Sequence, residues 1–236
     1  MNDPLITGQR INALGQPVGV PIDDTQPRPV PPRRAMVGRF CTVEPLSQNH
    51  ADDLYAAFRA DVEDRIWTYL PNGPYHDPNV FRDWVEAAIT SEDPLMHAIL
   101  VNGRAVGHAS YLRISGKSAS IEVGFINLSP ALQRTAAATE FQFLMMQRAF
   151  DELGYRRYEW KCDALNAPSR KAALRLGFTY EGTFRQATHY KGRNRDTAWF
   201  SILDSEWPDL KAKFQRWLAD DNFDADGRQI RSLAVV

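Results

Sequence analysis

Apolar residues along this chain switch between two periods, and the switches mark its elements. Ala51, Leu54, Tyr55 and Phe58 recur at i, i+3, i+4 and i+7, which is one face of a helix, and Ser47 stands ahead of them as a cap. After Pro71-Asn72-Gly73-Pro74, a loop by its residue types, Asp77-Pro78 opens a second helical run with Phe81, Trp84, Val85, Ala88 and Ile89 on one side. Val37 to Pro45 reads as a strand, as do Met96 to Val101, Ala105 to Ile114 and Ser120 to Leu128. Asn102-Gly103 joins the middle pair as a tight hairpin, because both residues tolerate positive φ. Thr135 to Leu153 is the longest helical run, closed by Gly154, and Arg156 to Asp163 follows as a strand. A short helix from Asn166 to Leu176 stops at Gly177, where a left-handed cap suits glycine. Two last strands, Phe178 to Tyr190 and Asp196 to Leu203, are joined through Lys191 to Asn194. Trp207, Leu210, Phe214, Trp217 and Leu218 then predict a terminal helix packed back on the domain. The order predicts an α+β domain over 36–208, followed by a C-terminal helix and tail over 209–236.

Residues 1–35 have a different texture. Seven of the chain's 15 prolines fall between Pro4 and Pro32, a density that neither a helix nor a central strand admits. The segment is expected to be an extended arm of polyproline character lying across the outside of the domain. Charge narrows the function classes: with 28 Lys+Arg against 29 Asp+Glu in 236 residues, neither a nucleic acid nor an anionic membrane is the expected partner. No apolar run approaches the ~20 residues that span a bilayer. The opening Met-Asn-Asp-Pro lacks a basic region followed by an apolar core, so a cytoplasmic protein is expected. Cys41 and Cys162 cannot build a disulfide framework and are read as buried thiols; no Cys/His spacing suggests a metal. His50, His76, His97 and His108 share no metal or triad spacing and are read as structural.

Chemistry concentrates in the second half. Ile121 to Pro130 followed by Gln133 to Glu140 is a strand running through a short loop into a helix start. There, unpaired backbone amides and the positive end of the helix dipole make a seat for a pyrophosphate. Small residues at a helix start serve ordinary close packing as well, so this feature alone decides nothing. Together with Asn166-Ala167-Pro168-Ser169 and Leu174-Arg175-Leu176-Gly177-Phe178-Thr179-Tyr180-Glu181-Gly182, however, the arrangement resembles the GNAT superfamily of acetyl-CoA-dependent N-acetyltransferases. The pattern N-x-x-S, then L-x-x-G-F-x-x-E-G, looks like the branch holding the ribosomal-protein N-terminal acetyltransferases RimJ and RimL. The likeness runs from about Gly38 to Trp207. It implies the GNAT fold: a central, mixed but mostly antiparallel sheet, splayed in the middle where pantetheine enters, with helices on both faces.

The resemblance also assigns roles. Gln133, Arg134, Thr135, Ala136, Ala137 and Ala138 fill the Q/R-x-x-G-x-G/A loop whose amides hold the CoA pyrophosphate, with two departures. Ala136 stands where the family has glycine, and its methyl limits backbone approach. Arg134 is bulky for this loop and is suited to a charge-assisted bond to phosphate. The strand backbone over Phe125, Ile126, Asn127 and Leu128 would line the thioester, with an N–H around Ile126 to Leu128 polarising its carbonyl. Asn166 matches the residue that bonds the pantetheine arm and is also suited to cap a helix. Ser169 matches the hydroxyl placed near the CoA sulfur, where it can protonate the departing thiolate. The implied reaction needs no metal: a primary amine attacks the thioester directly while both reactants are held together.

An alkyl amine has a pKa near 10 and an α-amine near 8, so a base or a water chain must take the proton. The RimL-like position for a glutamate is Thr188 here, which cannot act as a base; Glu122 is the next candidate, with a cross-strand ion pair as its alternative role. His189 adjoins Thr188 and points to the opposite face of an extended strand. Trp67, Tyr69 and Tyr75 flank the Pro71 to Pro74 loop and are expected to line the acceptor groove, whereas Trp84 fits a core position. Lys191, Arg193 and Arg195 read as a solvated hairpin tip. The expected acceptor is a protein N-terminal amine or a small-molecule amine, and a homodimer is compatible with all of this. The functional alternative is a non-catalytic acyl-CoA-binding module.

Overall fold

The computed structural model describes residues 8–233; the first seven residues of the proline-rich segment and the last three of the tail lie outside the described residues. The described part of the segment holds an exposed two-stranded hairpin, β1 (Arg10–Ile11) and β2 (Pro17–Val18), in which the Asn12 side chain accepts from the Leu14 and Gln16 amides at 2.9 Å. From Arg28 onward the chain is tied to the body. The Arg28 amide donates to Gly116 O, Tyr155 Oη donates to Pro29 O at 3.1 Å, and the buried Arg148 guanidinium donates to Arg34 O and Ala35 O.

Where one strand is expected from Val37 to Pro45, two stand instead: β3 (Met36–Val37) and β4 (Thr42–Pro45). The break has a tertiary cause. The buried Glu140 carboxylate accepts the amides of Arg39, Phe40 and Cys41 at 2.8, 2.6 and 2.9 Å, so these residues turn toward it rather than into a ladder. A 3-10 turn over Gln48–His50 leads into α1 (Ala51–Arg59). Asp77 caps α2 (Pro78–Ile89) by accepting the Asn79 amide at 2.8 Å. Then come β5 (Leu95–Val101), β6 (Arg104–Ser115) and β7 (Ser120–Leu128). The turn at Asn102 and Gly103 has both residues at positive φ.

The long helix, α3 (Ala136–Gln147), continues as a π-helical turn over Arg148–Glu152. The remaining elements are β8 (Arg157–Asp163), α4 (Ala167–Arg175), β9 (Thr179–Tyr190), β10 (Arg193–Leu203) and α5 (Trp207–Leu218). Eight strands form one mixed sheet in the order β3-β4-β5-β6-β7-β8-β10-β9, antiparallel throughout except for the parallel pair β7/β8. Alternating side chains feed two cores. On one face Phe58, Trp67, Phe81, Val85, Met96 and Ala98 pack beneath α1 and α2. On the other, Ile121, Val123, Phe141, Tyr158, Phe200 and Phe214 join α3 and α5 to the sheet. Helices thus cover both faces of a central mixed sheet, as the resemblance implies.

Candidate functional site

The sheet comes apart at its middle. β7 and β8 pair only from Ser120↔Arg157 to Val123↔Trp160, so Gly124 to Leu128 on one strand and Lys161 to Asp163 on the other diverge around a gap. At that point β7 also bulges. Its register with β6 passes from Ser110↔Gly124 to His108↔Asn127, leaving Phe125 and Ile126 opposite Ala109 alone. Phe125 takes a φ of 46°, rare for a residue with a side chain. Two β6 side chains support the bulge: Ser110 Oγ donates to Gly124 O at 3.1 Å, and the His108 ring meets Phe125 O through Nδ1 at 2.8 Å.

The gap leads toward the start of α3. Thr135 Oγ1 caps that helix, accepting the Ala138 amide at 3.1 Å while donating to Leu132 O at 2.7 Å. The Ala136 and Ala137 amides have no acceptor within the helix, as at any first turn. Gln133 ties the loop to the end of β7 by donating Nε2–H to Leu128 O at 2.9 Å. Arg134 is exposed at a φ of 62°. The left-handed residue of this loop is therefore Arg134; Ala136 is the first helical residue, where its methyl introduces no backbone strain. Of the two departures read from the sequence, the backbone strain falls on Arg134 and not on Ala136.

On the opposite side of the gap, Asn166 Oδ1 caps α4 by accepting the Ser169 amide at 3.1 Å. Ser169 Oγ in turn accepts the buried Trp160 indole N–H at 3.0 Å. Both predicted residues therefore stand at one helix start beside the diverging end of β8.

The α1/α2 face of the gap is ionic. Glu122 is buried with its Oε2 2.9 Å from Lys161 Nζ and 3.0 Å from Arg113 Nε; burial pushes its carboxyl pKa up, and the Lys161 charge opposes that rise. Lys161 also lies 2.7 Å from Glu159 and over the Trp199 ring, its nitrogen 3.8 Å from the ring centre. The cross-strand ion pair weighed as Glu122's alternative role is therefore present.

Of the three aromatic residues expected to line the acceptor groove, Trp67 departs from that expectation. Its ring is buried edge-on against Phe58 and Tyr75, because Gly73 lies directly on it. Tyr75 is half-buried among Trp67, Phe81 and Trp84, and its hydroxyl accepts from Asn72. Tyr69 reaches the far side, its hydroxyl donating to Leu165 O at 3.3 Å. The hairpin tip is exposed, as expected of solvated charges, and Lys191 Nζ also donates to Trp67 O at 2.7 Å. Beside it Tyr190 Oη donates to Asp163 Oδ2 at 2.8 Å, and burial together with the carboxylate pushes the phenol pKa up to about 12. Sequence reasoning passed over Ser110 and Trp160, read His108 as structural only and gave Lys191 no role at the gap. The shared face of His108 and Ser110 on β6 was the one available signal, and the rest depends on contacts distant in sequence. Among the described residues no cluster of three or more His, Cys, Asp or Glu side chains forms a metal site, and no helix is long and apolar enough to cross a membrane.

Residues 41–179 match the family described as acetyltransferase (GNAT) domain. A crystal structure of a GCN5-related N-acetyltransferase from Brucella melitensis is similar at a TM-score of 0.88 and 46% identity, covering 90% of this chain and 98% of that one. A protein from Chromobacterium violaceum described as a probable acetyltransferase of the GNAT family is similar at a TM-score of 0.76 and 39% identity, with coverages of 82% and 98%. The fold is shared by the microcin C7 self-immunity acetyltransferase MccE, solved with acetyl-CoA and AMP, at a TM-score of 0.64 and 21% identity, with coverages of 74% and 98%. No curated protein matches.

Proposed function

Because this chain belongs to the GNAT family of acetyl-CoA-dependent acetyltransferases, we propose that it transfers the acetyl group to a primary amine, by direct attack while both reactants are bound. The observation that carries the proposal is the gap between β7 and β8, bounded by a helix start with free amides on one side and by Asn166 and Ser169 on the other. The site fits acetyl-CoA on its own chemistry. The amides of Ala136 and Ala137 and the Arg134 guanidinium offer donors for a pyrophosphate, and the strand from Phe125 to Leu128 offers backbone groups along the gap. Acetyl-CoA supplies an activated thioester there.

The chain's residues divide the remaining work. A backbone N–H at Ile126 to Leu128 polarises the carbonyl. Ser169 protonates the departing sulfur: the indole N–H takes one lone pair, and the serine's own O–H, which neighbours the Cys162 thiol, is the donor. Glu122 is the proposed proton acceptor, reached through water. Its burial raises its basicity, and Lys161 stabilises the carboxylate form before the proton arrives. Tyr69 and Tyr75 face the acceptor.

The acceptor is proposed to be a protein N-terminal amine or a small-molecule amine, in line with the RimJ- and RimL-like pattern from Asn166 to Gly182. Family membership sets aside a purely binding role. Release of CoA is the decisive measurement, using acetyl-CoA with a panel of N-terminal peptides and small amines. Amine-dependent release is expected, and the peptide and small-molecule arms identify the acceptor class. Absence of both release and thermal stabilisation at millimolar acetyl-CoA would overturn the proposal.

A further inference from the structure

The β7 bulge is held from one side by two side chains, and peptide geometry converts that hold into a direction. A trans peptide is planar, with its C=O and N–H antiparallel. With Phe125 O fixed on His108 Nδ1 at 2.8 Å, the N–H of Ile126 in the same peptide turns the opposite way, off β6 and onto the side where β7 has parted from β8. Ser110 fixes the preceding carbonyl, Gly124 O, at 3.1 Å. The conformation needs such support, because Phe125 sits at a φ of 46°, a strained value for a phenylalanine.

The His108 ring cannot drift. It is fully buried, edge-on to Phe58 at 5.5 Å between centres and tilted against Trp84 at 5.2 Å. Burial pushes its pKa down to about 4, so the ring is neutral at working pH. A neutral imidazole carries one N–H, and the carbonyl partner requires it on Nδ1. Nε2, also buried, has no hydrogen-bond partner among the described residues, so nothing there competes for the proton.

We infer that His108 is a positioning residue for acetyl transfer, aiming the Ile126 N–H at the thioester oxygen by holding Phe125 O. The inference rests on the reading of β7 as the strand that polarises the carbonyl. It is tested with acetyl-CoA carrying ¹³C at the thioester carbonyl, bound without acceptor and read by isotope-edited infrared spectroscopy, since a hydrogen bond to the carbonyl lowers its stretching frequency. The wild-type complex is expected to absorb below free acetyl-CoA.

His108→Phe keeps a ring and loses the donor. It should lose most of that shift and reduce kcat about tenfold to a hundredfold, less than the 10²–10³ of a deleted oxyanion donor, because Ile126 keeps its N–H. Its acetyl-CoA Kd should stay within about threefold of wild type. His108→Asn places an amide nitrogen where Nδ1 stood and should restore both shift and kcat. A folded Phe variant that keeps the shift and kcat would overturn the inference alone. A wild-type complex with no shift would overturn the polarising-strand reading and the inference with it. If the Phe variant does not fold, His108→Gln replaces it, with its nitrogen at the Nε2 position; a Gln variant equal to the Asn variant would sink the idea.

Discussion

The Trp160 indole N–H donates to Ser169 Oγ at 3.0 Å, joining the core beneath α4 to the hydroxyl beside the gap. A hydroxyl has two lone pairs and one proton, so this bond fixes the oxygen while leaving its O–H to point elsewhere. With Ser169 as the proposed acid, catalysis and stability would be coupled in one contact. Ser169→Ala should lower kcat by roughly tenfold to a hundredfold, the lower part of the general-acid range, since a thiolate is already a fair leaving group. The acetyl-CoA Kd should change little. The same substitution strands a buried indole N–H and should cost about 1–3 kcal/mol in urea denaturation. Stability lost with kcat intact would leave Ser169 a purely structural residue.

Arg134 occupies the left-handed position of the α3 entry loop. Arg134→Gly should relieve about 1 kcal/mol of backbone strain, raising Tm by a few degrees. Acetyl-CoA affinity should nevertheless fall about threefold to tenfold at low salt, with the difference shrinking as salt screens the phosphate contact. Ala136→Gly, at a helical position, should give no gain in stability or affinity. Thermal melts check the stability statements, and calorimetric titration at two salt concentrations checks the affinities.

Glu140 and Gly38 form a lock between α3 and the β3–β4 turn. A methyl group on Gly38 would meet the Glu140 carboxyl carbon and an oxygen at 2.4 Å, while that carboxylate already holds three amides. Gly38→Ala should therefore destabilise by about 3 kcal/mol, the scale of an overpacked core. Glu140→Gln presents an NH₂ where amides need an acceptor and should cost about 1–3 kcal/mol. Urea midpoints near those of wild type would show that the lock bears little of the stability.

Stability should also fall between pH 7 and pH 5. His97 and His108 are buried, and burial depresses both pKa values from about 6.5 to about 4. Below pH 6.5 the unfolded chain takes up protons that the folded one refuses, so lowering the pH favours unfolding until the folded rings titrate near pH 4. Each residue should remove roughly 2 kcal/mol by pH 5, at about 1.4 kcal/mol per unit. His97→Phe should halve the pH dependence. A flat urea midpoint across this range would contradict neutral buried rings.

Local chemistry made much of the fold legible. Asn102-Gly103, Asp77-Pro78 and Gly177 mark turns or helix ends whose residue preferences act within a few positions, and they sit at the ends of β5, α2 and α4. The split between β3 and β4 was not legible, because its cause, Glu140, lies a hundred residues away. Likewise Trp67 follows aromatic spacing that suits a pocket or a core, and only the approach of Gly73 decides for the core. In the site, the residues at helix starts were readable from capping preference, Asn166 above all. His108 was not, since its partner Phe125 O exists only once β7 bulges against β6.

The four-residue pairing of β7 with β8 has a further consequence. Beyond Val123 the two strands no longer pair with each other, which leaves an open sheet edge inside the molecule. On the outside of a sheet such an edge invites another chain to add itself. Here an occupant without amide-like donors and acceptors at strand spacing would leave backbone groups unmatched. The fold thus filters its guest by backbone complementarity before any side chain contributes selectivity.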